Sequence, residues 1–520
     1  MKLFACVLLS LPLAGLCIVD GLVSASTAAP LAISDAETEN VTYSNQISRI
    51  FQRRCQSCHR PGEVAPFALT SYADASNWSE TIAEVVREGR MPPWHASPEH
   101  GRFKNDPRLT ADEKKLIVAW VAAGSPEGDP SQLPKPIEWA DGWRIGKPDV
   151  VLTMPKQFEV PATGTVDYQY YMVDPGFKED KWIRAAECRP DNRAVTHHIV
   201  IFLQPGGGSS VQSKGGFGFD MLAATAPGMP PLNLPDGHAR FVPAGSKLVF
   251  QMHYTPNGTA QSDQSSVGLV FADAATVKKE VRADAALNMF FKIPPGDKDH
   301  VLTARYRFSQ DTILFSLLPH MHLRGKSFRI EAKYPDGNGE ILLDVPNYEF
   351  NWQHIYQLAE PKHLPEGTEL HCTAHYDNSA DNPKNPNPEA AVSFGLQTAQ
   401  EMMVGMFDMA LADQDLTLGG PQVKALGNGE SEVTFHFRAP ASAKAVYLAG
   451  TFNEWKPDAH AMEGPDADGV YSTRLALKPG RHEYKFVIDG KIWRYDPANR
   501  AQAGFYRNSV LFVAEATDGK

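Results

Sequence analysis

The chain has 520 residues, 42% hydrophobic and 21% charged, so it can fill several cores, and length alone predicts about three or four domains. Its 50 Lys and Arg stand against 61 Asp and Glu, a formal charge of −11. That balance, with no basic tract anywhere, argues against a nucleic-acid partner, because phosphate binding needs concentrated Lys and Arg.

Residues 1–29 read as an export signal. Lys2 supplies the positive start, Leu3 to Val19 the apolar stretch, and Ala25 to Ala29 small residues for cleavage. The expected destination is the periplasm or the cell exterior, with an uncleaved membrane anchor as the alternative. Leu16 before Cys17 is too large for a lipoprotein processing site, and no second apolar span reaches bilayer length. Of six cysteines, Cys6 and Cys17 lie in the signal and Cys55 and Cys58 in the motif described next. Cys188 and Cys372 remain, in what read as different lobes, so a disulfide between them is unproven.

The first folded unit is expected over residues 40–128. Gln46, Ile47, Ile50 and Phe51 have helical spacing, and Ala111 to Ala123 predicts a second helix, with Thr110 as N-cap, Glu113 at N3 and an apolar stripe of Leu116, Ile117, Trp120 and Val121. Between them, Cys55-Gln56-Ser57-Cys58-His59 is a haem c attachment sequence: two thiols at this spacing form thioethers to the haem vinyl groups and the adjacent histidine reaches the iron. Met91, in Gly89-Arg90-Met91-Pro92-Pro93-Trp94, is the expected distal ligand, with His95 and His100 as competitors. In motif order and flanking helices the unit resembles cytochrome c. A Pro, Gly and Asp-rich link, Gly124 to Pro136, follows.

From about Gly146 to Ala412 the pattern turns to short β-favouring runs, Val195 to Leu203, Leu248 to Tyr254, Thr312 to Leu318 and Ser327 to Tyr334, separated by turns such as Gln204-Pro205-Gly206-Gly207-Gly208. A break near Ala272 to Ala286 divides the region into two β-sandwich lobes, 146–275 and 283–412. The first holds His197, His198 and His253; the second holds His320, His322 and Met402. Imidazole and thioether donors grouped this way suit redox copper better than hard cations. His320-Met321-His322 predicts two imidazoles on one strand face, whereas His197 and His198, as neighbours, require a twist or a strand end to share a metal. His354, His363, His371 and His375 are expected to be structural, although His371 and His375 could share a strand face.

The segments Thr196-His197-His198-Ile199, Gln251-Met252-His253-Tyr254, Pro319-His320-Met321-His322 and Glu401-Met402 resemble, in order, the ligand segments of the copper type II ascorbate-dependent monooxygenases, the family of dopamine beta-monooxygenase and peptidylglycine alpha-hydroxylating monooxygenase. The resemblance covers about half the chain. It implies jelly-roll-like lobes, an electron-transfer copper on His197, His198 and His253, and an oxygen-binding copper on His320, His322 and Met402, with Met403, Met406 and Met409 within an alignment slip of Met402. Positions that seat a peptide substrate in that family read Leu318, Val404 and Met406 here, so a peptide carboxylate is not expected and the pocket looks apolar. The cysteine matching Cys372 would lack its partner, because that position is Met403.

Residues 430–514 form a last strand-rich, aromatic unit, after an expected linker from Asp413 to Gly429. Ala449-Gly450-Thr451-Phe452-Asn453-Glu454-Trp455, Tyr484-Lys485-Phe486, Asp489-Gly490 and Asn508 resemble the glycogen-binding domain of AMP-activated protein kinase. The resemblance implies an immunoglobulin-like sandwich with Trp455 and Trp493 stacking on sugar rings and Lys485 and Asn508 bonding hydroxyls, although Trp493 stands one residue further from the Asp-Gly turn than that pattern. An aromatic core without a ligand is the alternative.

The combined expectation is a small all-α haem domain, two all-β copper lobes and an all-β C-terminal sandwich. Together they would make an exported monooxygenase using two copper ions, one haem c, O2 and a small organic substrate. Electrons would come from the haem, ascorbate or another redox partner, and a glycan is a further candidate partner. The alternative is a non-enzymatic haem and copper electron carrier or a polysaccharide-binding surface protein.

Overall fold

The computed structural model describes residues 40–139, 142–205, 220–426, 429–504 and 506–515. The export signal, Cys6, Cys17 and the Gly206-Gly207-Gly208 turn lie outside them. Among the described residues no helix is long and apolar enough to cross a membrane.

The N-terminal unit is helical. A π-helical turn, Tyr43–Ile47, runs into the Ser48–Arg54 helix; Tyr72–Asn77, Ser79–Arg87 and Ala111–Ala122 complete it. Thr110 and Glu113 form a capping box, each satisfying a backbone N–H at the start of the last helix. Glu113 also takes Arg53 and Arg54, tying the first helix to the last. Ile47, Phe51, Ile82, Ile117 and Trp120 fill the core.

The middle of the chain is two antiparallel sandwiches. In the first lobe, the sheet Gln169–Val173, Lys247–Tyr254, Thr196–Gln204, Asp220–Thr225 packs on one built around Lys181–Arg189 and Ser266–Phe271, with Ile199, Ile201, Phe250, Met252, Val267 and Leu269 between them. In the second lobe, the sheet Arg282–Asn288, Met403–Leu411, Thr312–His320, Tyr356–Leu364 packs on His300–Arg307, Glu369–Tyr376, Gly325–Lys333, Gly339–Val345. Cys188 and Cys372 are free, buried in the core of one lobe each.

The units are stitched together. Ala96 and Phe103, downstream of Met91, are buried in the second lobe's core, and Ser97 and Lys104 donate backbone N–H bonds to Asp344 and Gln357. Between the lobes, Arg240 and Asp408 make a buried ion pair. The C-terminal sandwich pairs Ser431–Arg438 with Val470–Leu477 and Val446–Gly450 with Gly480–Ile488. The segment expected as a linker before it is docked instead: Gln422–Ala425 is an edge strand hydrogen-bonded to Ser431–Arg438. Arg500 lies over the Phe241 ring of the first lobe, 3.3 Å from its centroid, and pairs with Glu280.

Candidate functional site

A cavity of about 650 Å³ opens where the helical unit meets both lobes. Cys55, Cys58, His59 and Met91 line it from the helical side with Phe51, Leu69, Ile82 and Ile117; Arg144, Arg193 and His197 line it from the first lobe, and Asn351, Trp352 and His354 from the second. His95 and His100, the competing distal candidates, are not among its lining residues. His59 Nδ1 lies 3.1 Å from the Phe67 carbonyl, an acceptor, so Nδ1 carries the proton and Nε2 keeps its lone pair. An apolar chamber with two thiols, an imidazole lone pair and a thioether fits a covalently attached haem.

His197, His198 and His253 come together next to this cavity, each offering a ligand atom within 4.8 Å of the others'. The register explains how adjacent histidines converge. His198 stands opposite His253 on the neighbouring strand, and the ladder shifts between Thr196 and His198, a bulge that turns the His197 ring to the same side. His197 Nε2 and His253 Nδ1 are buried without a hydrogen-bond partner. Burial pushes His197 down to about 4 and His253 to about 3, and holds His198 well below the ordinary range. All three are therefore neutral at physiological pH, the form that binds a metal. Neutral, convergent imidazoles, two of them with an unpartnered ring nitrogen, fit copper. Tyr168, which sequence reasoning missed, packs its ring 4.8 Å from His253 and 5.4 Å from His198.

His320 and His322 bring their rings to 5.2 Å. They do not share a strand face, as the sequence suggested: the strand ends at His320, and His322 lies beyond it. The chain leaves the ladder because other groups satisfy its backbone. Tyr348 Oη bonds both the N–H and the carbonyl of Met321, and buried Glu401 accepts the N–H groups of His322 and Arg324. His322 Nδ1 donates to the Gln400 carbonyl, leaving Nε2 as a buried, unpartnered lone pair. Burial, then the neighbouring His320, pushes His322 down to about 3.

Strand alternation separates the four candidate methionines. Val404 pairs with His320 and Met406 with Leu318, on the face turned to the first lobe, where Met406 and Leu318 pack with Ala226 and Met229. Met403 and Met409 point the other way, into the second lobe's core. Met402, buried just before this strand, continues the alternation on the His320 side.

The loop Tyr348–His354, which carried no sequence signal beyond His354, touches both histidine clusters and the cavity. Phe350 stacks on His197 at 5.3 Å, Gln353 Oε1 lies 2.8 Å from His320 Nδ1, and Asn351, Trp352 and His354 line the cavity. His354, expected to be structural, has a buried Nε2 without a partner. Gly228 of the first lobe meets this loop with φ 77°, and a Cβ there would sit 3.0 Å from the His354 ring. His371 and His375 lie elsewhere, paired with Glu369 and Asp299.

In the C-terminal sandwich, Trp455 and Trp493 bring their rings to 6.3 Å. Asn508 donates to Glu483, which is adjacent to Tyr484-Lys485. Trp493 is half-exposed and its neighbour Arg494 pairs with Glu366 of the second lobe.

Comparison with known proteins matches residues 45–121 to the family described as cytochrome C oxidase, cbb3-type, subunit III, and residues 432–514 to the glycogen recognition site of AMP-activated protein kinase. Protein PTST homolog 2, chloroplastic, of Arabidopsis thaliana is 36% identical over 76 residues, 14% of this chain and 14% of its own length. The beta-1 subunit of 5'-AMP-activated protein kinase from Sus scrofa is 36% identical over 77 residues, 14% of this chain and 59% of its own. The chain thus spans less than two thirds of these relatives. Among solved structures, infectious bursal disease virus VP2 aligns over 51% of this chain and 72% of its own at 8% identity, with a TM-score of 0.15, too low to carry a fold relationship. The chain therefore carries a cytochrome c domain near its N-terminus, which supports a haem cofactor and electron transfer, and a glycogen-binding-type domain at its C-terminus, which supports glycan binding.

Proposed function

We propose that the protein is an exported copper-dependent monooxygenase that hydroxylates a C–H bond of a small, largely apolar substrate with O2, its electrons arriving through the fused haem, with ascorbate as the other candidate donor. The observation that carries this reading is the double position of His197. Its ring belongs to the three-histidine cluster and also to the wall of the chamber lined by Cys55, Cys58, His59 and Met91. Electron entry and the first histidine cluster thus share one residue.

In this reading His197, His198 and His253 hold the electron-transfer copper, and His320, His322 and Met402 hold the copper that meets O2. Copper bound at these two sites would supply one electron each, the pair that hydroxylation with O2 takes beyond those of the substrate. The residues themselves do the rest. Gln353 and the Gln400 carbonyl fix the His320 and His322 rings with Nε2 outward. Glu401 ties His322 and Arg324 to the Met402 N–H, setting the spacing between imidazoles and thioether. Leu318, Met406, Ala226 and Met229 pack together across the lobe boundary, an apolar setting that favours a substrate without charge.

Metal analysis of the purified protein tests the reading: two coppers and one haem per chain are expected. Rapid mixing of the reduced protein with O2 and a substrate panel should then show haem oxidation coupled to product formation. One copper or none, and no O2 uptake with any reductant, would instead fit a non-enzymatic electron carrier. The C-terminal domain supports a second, separable role, holding the enzyme on an α-glucan through Trp455 and Trp493.

A further inference from the structure

We propose that Phe350 is the electron-coupling residue between the two histidine sites, an inference that rests on copper occupying both. Phe350 comes from the second lobe, yet its ring lies parallel to His197 of the first, 5.3 Å between centroids and 10° between planes. The same ring stands 6.1 Å from His253 and meets His322 edge-on at 6.0 Å, 87° between planes. These are contact distances for aromatic pairs. One side chain, 5% exposed, therefore touches a ligand set on either side of the lobe boundary.

Three features hold the ring there. Gln353 Nε2 donates to the Phe350 carbonyl, Tyr348 Oη grips the backbone of Met321, and Trp352 and His354 close on Gly228. The buried Arg240–Asp408 pair fixes the lobes on which the two sites ride. A packed ring between the sites favours electron tunnelling, which weakens steeply with gap and passes better through touching atoms than through water.

The step is an electron transfer. With copper held at both, one electron would pass from the site of His197, His198 and His253 to that of His320, His322 and Met402, the first oxidised by one and the second reduced by one. Phe350 is neither oxidised nor reduced. No bond forms or breaks and no proton moves. The reductant restoring the first site is the haem, or dithionite in the experiment. The competing route is direct, from the His253 ring to the His322 ring, which stand 6.1 and 6.0 Å from Phe350.

The test uses the full chain with haem and two coppers, oxidised, anaerobic, and given one electron equivalent of dithionite per copper pair. Freeze-quench EPR follows the two Cu(II) signals, and absorbance follows the haem. Phe350→Leu and Phe350→Met remove the ring; Phe350→Tyr keeps it. Redistribution of the electron between the sites should slow roughly tenfold or more in the Leu and Met variants and stay near wild type in the Tyr variant. Unperturbed Cu(II) and haem spectra in the variants would exclude a merely structural effect. An unchanged rate in a ring-less variant with two coppers overturns the proposal in favour of the direct route. A wild-type protein with fewer than two coppers overturns the copper reading itself, seen in metal content before any rate is measured.

Discussion

Gln353 sets the tautomer of His320. Its amide nitrogen donates to the Phe350 carbonyl, so its Oε1, 2.8 Å from His320 Nδ1, accepts the imidazole proton and leaves Nε2 free to bind a metal. Losing such a partner typically costs ~10–100-fold in metal affinity. Gln353→Leu is therefore expected to weaken one of two copper sites by that factor and spare the other, read by copper retention against a graded chelator.

The interlobe pair should behave as a buried ion pair. Arg240 and Asp408 are both buried, and Ser316 Oγ also donates to Asp408, at 2.9 Å. Asp408→Ala strands the guanidinium and is expected to cost ~3–5 kcal/mol, lowering the melting temperature, whereas pairing Arg240→Met with Asp408→Leu should recover most of it. An Asp408→Ala protein that melts like wild type would sink this account.

Burial pushes the Asp496 carboxyl up to about 6 from an ordinary 3.8. A carboxyl raised on folding holds its proton more tightly in the native state, so its contribution is most favourable below about pH 4. That contribution falls as pH rises through about 6 and is level above. At ~1.4 kcal/mol per unit, wild type should lose about 2–3 kcal/mol relative to Asp496→Asn between about pH 4 and 7. Melting curves of the two proteins across that range check the sign; a parallel pair of curves would refute it.

Trp455 and Trp493 are the expected glycan platform. Ring stacking is worth ~0.5–1.5 kcal/mol beyond burial, so Trp493→Ala should weaken binding roughly 2–10-fold. Affinity electrophoresis through glycogen measures it. Substituting Phe512, exposed on another strand of the same sandwich, serves as the control and should leave mobility unchanged.

The sequence carried the local features. Cys55-x-x-Cys58-His59 needs only bond lengths and a helical turn to present two thiols and an imidazole, and Thr110 with Glu113 caps a helix through contacts three residues apart. The domain order was legible for the same reason, since strand and helix periodicities are written in neighbouring residues. Asp413 to Gly429 misled because its Gly419-Gly420-Pro421 is turn chemistry, while the strand just after it is exposed at every position and shows no alternation.

What the sequence by itself determined is therefore the haem motif, the β-rich lobes and the histidines on which a metal reading rests. Only the tertiary structure decided their relation. The bulge that swings His197 beside His198, the alternation that separates Met402 and Met406 from Met403 and Met409, and the loop that puts Phe350 and Gln353 between distant histidines all depend on register and packing across the lobes. Residues far apart along the chain meet only where sheets and domains dock, and spacing in sequence carries no record of that distance.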